Sequence, residues 1–160
     1  MTGHNKEPTQ APWGIHSEWA SHCDTIEGST RIGEQRNGGS VKKILVADDK
    51  ETGRELVRTV LEGQGYEVFE ASDGIDALDA AHRVQPDLII LDLHMPGLDG
   101  FGVIKELRAE ACFSAVPVLA LTASAMEGDR QRALSAGFTG YLSKPVSLKV
   151  LRTEVERLLP

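Results

Sequence analysis

The chain predicts an α/β protein built as a doubly wound, five-stranded parallel sheet, and three observations carry that expectation. From Val41 onward, apolar runs of four to six residues alternate with segments of helical period, the pattern of repeated strand–helix units. The best of these runs, Ile44-Leu45-Val46-Ala47 and Leu88-Ile89-Ile90-Leu91, are continuously apolar, as strands covered on both faces are. Four runs end in a polar or charged residue. A strand buried on both faces tolerates that only where its end opens on a crevice, at the carboxyl edge of the sheet.

The elements follow in order. The first strand is 44–47, closed by Asp48-Asp49. A helix over about 51–63 presents Leu56, Val57, Val60 and Leu61 as one stripe and ends at Gly63-Gln64-Gly65. The second strand is Tyr66 to Ala71. Ser72 is the expected N-cap of a second helix carrying Ile75, Leu78, Ala81 and Val84 at helical spacing. Pro86 stops that helix, and the third strand, 88–91, ends in Asp92. The third helix covers about 100–110, with Val103, Ile104 and Leu107 inward. The fourth strand is 116–121, followed by Thr122. The fourth helix, about 126–136, is poor in large apolar residues, which predicts a loosely held, exposed element. The fifth strand is 140–143, followed by Lys144, and a helix over about 147–159 returns to the sheet with Leu148, Leu151, Val155 and Leu158.

Residues 1–41 read differently. They are rich in Gly, Ser, Thr, Asn and Gln, keep no period, and close on Gly38-Gly39-Ser40. They are expected to form a disordered or weakly ordered N-terminal extension ahead of a domain at 42–160. Trp13, His16, Trp19 and His22 recur at every third residue beside Cys23. That spacing is open to two readings, a metal-binding or docking peptide and chance in a polar tail; metal ligands ordinarily sit closer together. A net charge of −7 argues against a nucleic-acid or anionic-membrane surface. No apolar stretch approaches the roughly 20 residues a membrane span needs, and the N-terminus has no apolar signal core. Cys23 and Cys112 are the only cysteines, and two thiols in a reducing cytoplasm are expected rather than a disulfide.

Asp48, Asp49, Asp92, Thr122 and Lys144 could then meet at one mouth of the sheet. Adjacent carboxylates stay ionised most easily beside a cation. Mg2+ takes hard oxygen ligands, one or two carboxylates plus phosphate oxygens. Lysine brings a point charge to phosphate, and a threonine hydroxyl brings a hydrogen bond. Three carboxylates, a hydroxyl and an ammonium therefore suit a divalent cation and a phosphoryl group.

On these residues the chain resembles the receiver domains of bacterial two-component response regulators. The matching stretches are KKILVADDK at 42–50, PDLIILDLHMPGLDG at 86–100, VPVLALTASA at 116–125 and GYLSKP at 140–145, in the same order and at similar separations. The resemblance covers 42–160 and implies a flavodoxin-like (βα)5 fold with strand order 2-1-3-4-5. It implies that Asp92 is the phosphoacceptor and that Asp48 and Asp49 are the acidic pair, Asp49 the direct Mg2+ ligand. The backbone carbonyl of His94 is implied as a further ligand, Thr122 and Lys144 as the grip on the phosphoryl oxygens, and Tyr141 as the aromatic switch. A cis bond is implied before Pro145.

The resemblance further implies a phosphorelay protein that is not an enzyme beyond its own phosphoryl transfer and slow autodephosphorylation. Its partners would be a histidine kinase or a histidine phosphotransfer protein, and a downstream protein bound at the face of helix four, strand five and helix five. No DNA-binding domain is expected; phosphorylation-dependent dimerisation stays open. Within the family the stretch from Leu121 to Pro145 is most similar to cell-cycle regulators and to receivers fused to hybrid kinases.

A haloacid-dehalogenase-like phosphatase also uses an aspartate after a strand, but it needs a second Asp two residues on, where this chain has His94. Other local matches fail on context. Gly63-Gln64-Gly65 follows a helix and is no dinucleotide fingerprint. Asp99-Gly100-Phe101-Gly102 lacks the rest of a kinase, and Asp73-Gly74-Ile75-Asp76 lacks the alternating oxygens of a calcium loop. His82 is expected on the surface, and His94 as a solvent-side loop residue.

Overall fold

The computed structural model describes residues 39–124 and 126–160. Ten elements alternate as expected: β1 (Lys43–Ala47), α1 (Glu51–Glu62), β2 (Glu67–Ala71), α2 (Gly74–Val84), β3 (Leu88–Asp92), α3 (Gly100–Ala109), β4 (Val118–Thr122), α4 (Glu127–Ala136), β5 (Gly140–Ser143) and α5 (Leu148–Leu158). A 3-10 turn over Ala111–Phe113 follows α3. All pairings are parallel, and the strand order is 2-1-3-4-5. Every residue of β3 and β4 is buried, which is why those strands carry no polar alternation. On one face Ile44, Val46, Leu88, Ile90, Leu119 and Leu121 pack with Val57, Leu61, Leu151 and Val155 of α1 and α5. The alternate residues Leu45, Ile89 and Leu91, also fully buried, turn to the opposite face. Among the described residues no helix is long and apolar enough to cross a membrane.

Four details differ from the sequence expectation. The N-cap of α2 is Asp73, not Ser72: the Asp73 carboxylate accepts from the Asp76 amide at 2.8 Å, and the Asp76 carboxylate accepts from the Ser72 amide at 2.9 Å. Asp73 thus caps the amide at the third helical position, while Asp76 reaches back past the cap to the Ser72 amide. The predicted fourth strand begins two residues late because Pro117 has no N–H to give the ladder, although its carbonyl still accepts from Ile89. Leu56, Ile75 and Leu148 were expected to point inward but remain 49%, 48% and 42% exposed; each lies at the margin of its helix's apolar stripe. His82 is half-buried, not superficial. Its Nδ1 lies 2.6 Å from the Leu78 carbonyl and its Nε2 2.7 Å from Glu110, and its ring meets Phe113 edge-on. The expectations for Trp13, His16, Trp19, His22 and Cys23, and for the extension ahead of Gly39, lie outside the described residues.

The fourth helix is as thinly anchored as its composition predicts. Among its described side chains only Ala133 is buried. Two arginines hold it instead. Arg132 stacks its guanidinium 4.5 Å above the Phe101 ring of α3, a cation–π contact. Arg108, from the last turn of α3, donates through Nε and Nη2 to the Gly137 carbonyl at 3.1 and 2.9 Å. Its Nη1 donates to the carbonyls of Phe113 and Val116. One guanidinium so closes the C-terminus of α4, the 3-10 turn and the approach to β4; burial lowers its pKa from the ordinary arginine value. Replacing it with Arg108→Met strands those carbonyls, and a loss of about 2–4 kcal/mol in unfolding free energy is expected. Urea denaturation checks it: a change below about 0.5 kcal/mol, the scale of an ordinary surface substitution, would contradict this role.

Candidate functional site

Strand register assembles the site. Ala47 pairs with Leu91, so Asp48 and Asp92 come level on neighbouring strands. Asp92 pairs with Leu121 and Thr122 with Ser143, which sets Thr122 and Lys144 progressively further along the same edge. Asp48 and Asp92 are buried, at 1% and 4% exposure, whereas Asp49 faces solvent. Each of the three offers a carboxylate oxygen, and these oxygens lie within 4.8 Å of one another.

The two buried carboxylates are wired alike. Asp48 Oδ1 accepts from the Lys50 amide and Asp92 Oδ1 from the His94 amide, both at 2.9 Å. Their other oxygens share one ammonium: Lys144 Nζ donates to Asp48 Oδ2 at 2.5 Å and to Asp92 Oδ2 at 2.8 Å. Lys144 is itself placed by its amide, which donates to the Thr122 carbonyl, and the peptide between it and Pro145 is cis. Burial pushes the Lys144 pKa down, but the hydrogen bonds and charges of Asp48 and Asp92 outweigh it, and the ammonium is held above the ordinary lysine value. Three carboxylates against one ammonium leave the cluster formally two charges short of neutral, which a divalent cation would balance.

Thr122 is fully buried at the end of β4; its Oγ1 accepts from the Ser124 amide at 3.1 Å and lies 3.5 Å from His94 Nε2. The His94 ring is exposed over the mouth. Tyr141 stands one step back. Its hydroxyl donates to the Ser124 carbonyl at 2.6 Å, and burial together with the charge of Asp129 raises the phenol's pKa against the opposing Thr122 hydroxyl. The structure therefore brings Asp48, Asp49, Asp92 and Lys144 into one cluster, with Thr122 and His94 at its rim. Tyr141 is linked to that rim through Ser124 and through the Thr122 hydroxyl.

Two neighbours escaped the sequence reading. Arg54 donates to the Asp48 carbonyl at 2.6 Å. Gly53 sits inside α1, where glycine costs about 1 kcal/mol relative to alanine. That cost was the available signal, since it points to a close approach: a Cβ there would lie 2.9 Å from Asp48 Oδ2. Gly53→Ala should thus forfeit the usual helix gain of about 1 kcal/mol, as thermal melts would register; a variant stabilised by that full amount would contradict the contact. Lys144 predicts a pH dependence in the metal-free protein. Its folded-state pKa lies above the unfolded one, so its contribution is complete below about pH 10.4 and is lost as pH rises through the folded value. Lys144→Met should lack that alkaline component in melts recorded across the range.

Comparison with known proteins agrees with this geometry. The family model for the response regulator receiver domain matches residues 44–156. The polar-differentiation response regulator DivK of Brucella anthropi is 37% identical over 107 residues, 67% of this chain and 87% of that protein. The chemotaxis response regulator CheY4 of Vibrio cholerae superposes with a TM-score of 0.71 at 34% identity, over 74% of this chain and 99% of that one. The receiver domain of a Pseudomonas aeruginosa sensor histidine kinase, solved with a magnesium ion in its active-site cleft, gives 0.69 at 35% identity over 74% and 98%. On fold, strand order and sequence together, the chain belongs to the response regulator receiver domain family, the phosphoacceptor modules of two-component signalling.

Proposed function

We propose that Asp92 is the phosphoacceptor and that the domain, residues 42–160, relays a phosphoryl group into a protein contact. The observation that carries the reading is a carboxylate with 4% exposure at the open end of the sheet, one oxygen on Lys144 and two further carboxylates beside it. A histidine kinase or a histidine phosphotransfer protein presents phosphohistidine. An Asp92 oxygen attacks phosphorus in line, the P–N bond breaks, and the imidazole leaves and takes up a proton. There is little covalent work for the protein in such a transfer; positioning and charge supply most of the rate. Lys144 already holds Asp92 Oδ2, so its charge lies where negative charge on the transferring oxygens accumulates.

The donor set fits Mg2+. Three carboxylate oxygens within 4.8 Å are hard ligands of the right kind and number for a cation that also keeps water and phosphate oxygens. Asp49 and Asp92, with the His94 backbone carbonyl and Asp48 behind them, would hold it, and a magnesium-bound relative supports the assignment. When bound, the cation neutralises phosphoryl charge.

Thr122 supplies the next link. The Thr122 hydroxyl accepts from the Ser124 amide, which leaves its own hydrogen to donate to a phosphoryl oxygen, and the Ser124 carbonyl is what Tyr141 binds. A change at Thr122 therefore reaches Tyr141 through one residue. The face of α4, β5 and α5 is the output surface in this reading, because α4 has one buried residue among its described side chains, with two arginine contacts, and re-packs at low cost. Turnover of external substrates is not part of the reading, nor is binding to nucleic acid or membrane; the setting it fits is the cytoplasm. Incubation with acetyl phosphate and Mg2+ should add the mass of one phosphoryl group to the wild-type chain and none to Asp92→Asn. A mass gain that persists in Asp92→Asn, or none in the wild type, would overturn the assignment.

A further inference from the structure

The first turns of α1 bring a guanidinium to the back of the acidic cluster. Arg54, with its side chain 16% exposed, donates from Nη1 to the backbone oxygen of Asp48 at 2.6 Å. Its Nε lies 3.6 Å from Glu70 Oε1. Glu70 stands on β2 in register with Val46, and its second carboxylate oxygen accepts from Arg58 Nη1 at 2.5 Å. Among the described residues, Arg54 forms no ion pair with Asp48, Asp49 or Asp92. That choice of partner is informative. A guanidinium beside three carboxylates would ordinarily fork onto one of them, and doing so would fill oxygens a cation needs. Glu70 offers a carboxylate on the other side, itself steadied by Arg58. Arg54 is left spanning Glu70 and a carbonyl, the one oxygen of Asp48 that lies outside the carboxylate cluster.

We propose that Arg54, restrained by Glu70, is a positioning residue for the cation site: it sets the Asp48–Asp49 peptide while its own charge is kept off the ligating oxygens. The inference rests on the functional reading above. Outer partners that orient ligands typically change metal affinity 10–100-fold when removed. The test is calorimetric titration of Mg2+ into the full chain, with metal-free thermal midpoints measured beside it. Glu70→Gln and Arg54→Met should each raise the Mg2+ Kd about tenfold with near wild-type midpoints, and the double variant should bind no worse than the weaker single one. Arg54→Lys keeps the charge but loses the fork, and should show the same loss. Additive effects in the double variant, wild-type affinity in Glu70→Gln, or full affinity in Arg54→Lys would each overturn the proposal. A wild-type chain that binds no Mg2+ would overturn the functional reading and this inference together; normal wild-type binding with an unaffected Glu70→Gln would overturn this inference alone.

Discussion

Two carboxylates buried side by side depend on one ammonium. Asp48 and Asp92 are almost wholly removed from water, and ionised groups in that position are costly unless paired and hydrogen-bonded. Lys144 pairs with both at once, and a backbone amide two residues on satisfies the remaining oxygen of each. Asp49, the third carboxylate, stays exposed. The balance is therefore incomplete: one ammonium offsets one of the two buried charges, and the cluster as a whole carries the excess negative charge that would attract a cation.

The sheet turns this local pairing into a site. Parallel strands with both faces covered leave only their ends polar, and here the carboxyl ends of β1, β3, β4 and β5 supply the aspartates, Thr122 and the approach to Lys144. Close packing carries the cluster's position into the helices around it. Gly53 lets α1 approach Asp48, and Gly100 does the same at α3, where a Cβ would fall 2.6 Å from the Asp92 carbonyl. Each buried aspartate is thus approached by a helix that has given up a side chain to come close, α1 at the Asp48 carboxylate and α3 at the Asp92 backbone.

Rigidity is unevenly distributed. The face built by α1 and α5 rests on a core of Leu, Ile and Val, and α2 and α3 bury Leu78, Val84, Val103, Ile104 and Leu107, whereas among the described side chains of α4 only Ala133 is buried, beside guanidinium contacts from Arg132 and Arg108. Dispersion and hydrophobic burial resist displacement over many small contacts; a few directional bonds do not. The Thr122–Ser124–Tyr141 link joins the site to the strands on either side of α4, and α4 is held at few points, a combination that favours local rearrangement.

Much of this was legible in the sequence. Apolar runs of strand length gave four strands, with Tyr66–Ala71 as the remaining one, and helical spacing gave the five helices, because local hydrophobic period reflects which faces are covered. The terminal residues Asp48, Asp92, Thr122 and Lys144 could be placed at one edge because parallel strands share their carboxyl ends. Ser72 was mistaken for the cap since both it and Asp73 are good cap residues, and only backbone geometry distinguishes them. Leu56, Ile75 and Leu148 looked inward because period alone does not say how wide a stripe the sheet covers. The remaining features belong to tertiary structure. Lys144 meets Asp48 across 96 residues, Arg108 reaches Gly137 across 29, and Arg54 is drawn to Glu70 from another strand–helix unit. Such pairings depend on register and on the direction of single side chains, quantities no local window of sequence contains.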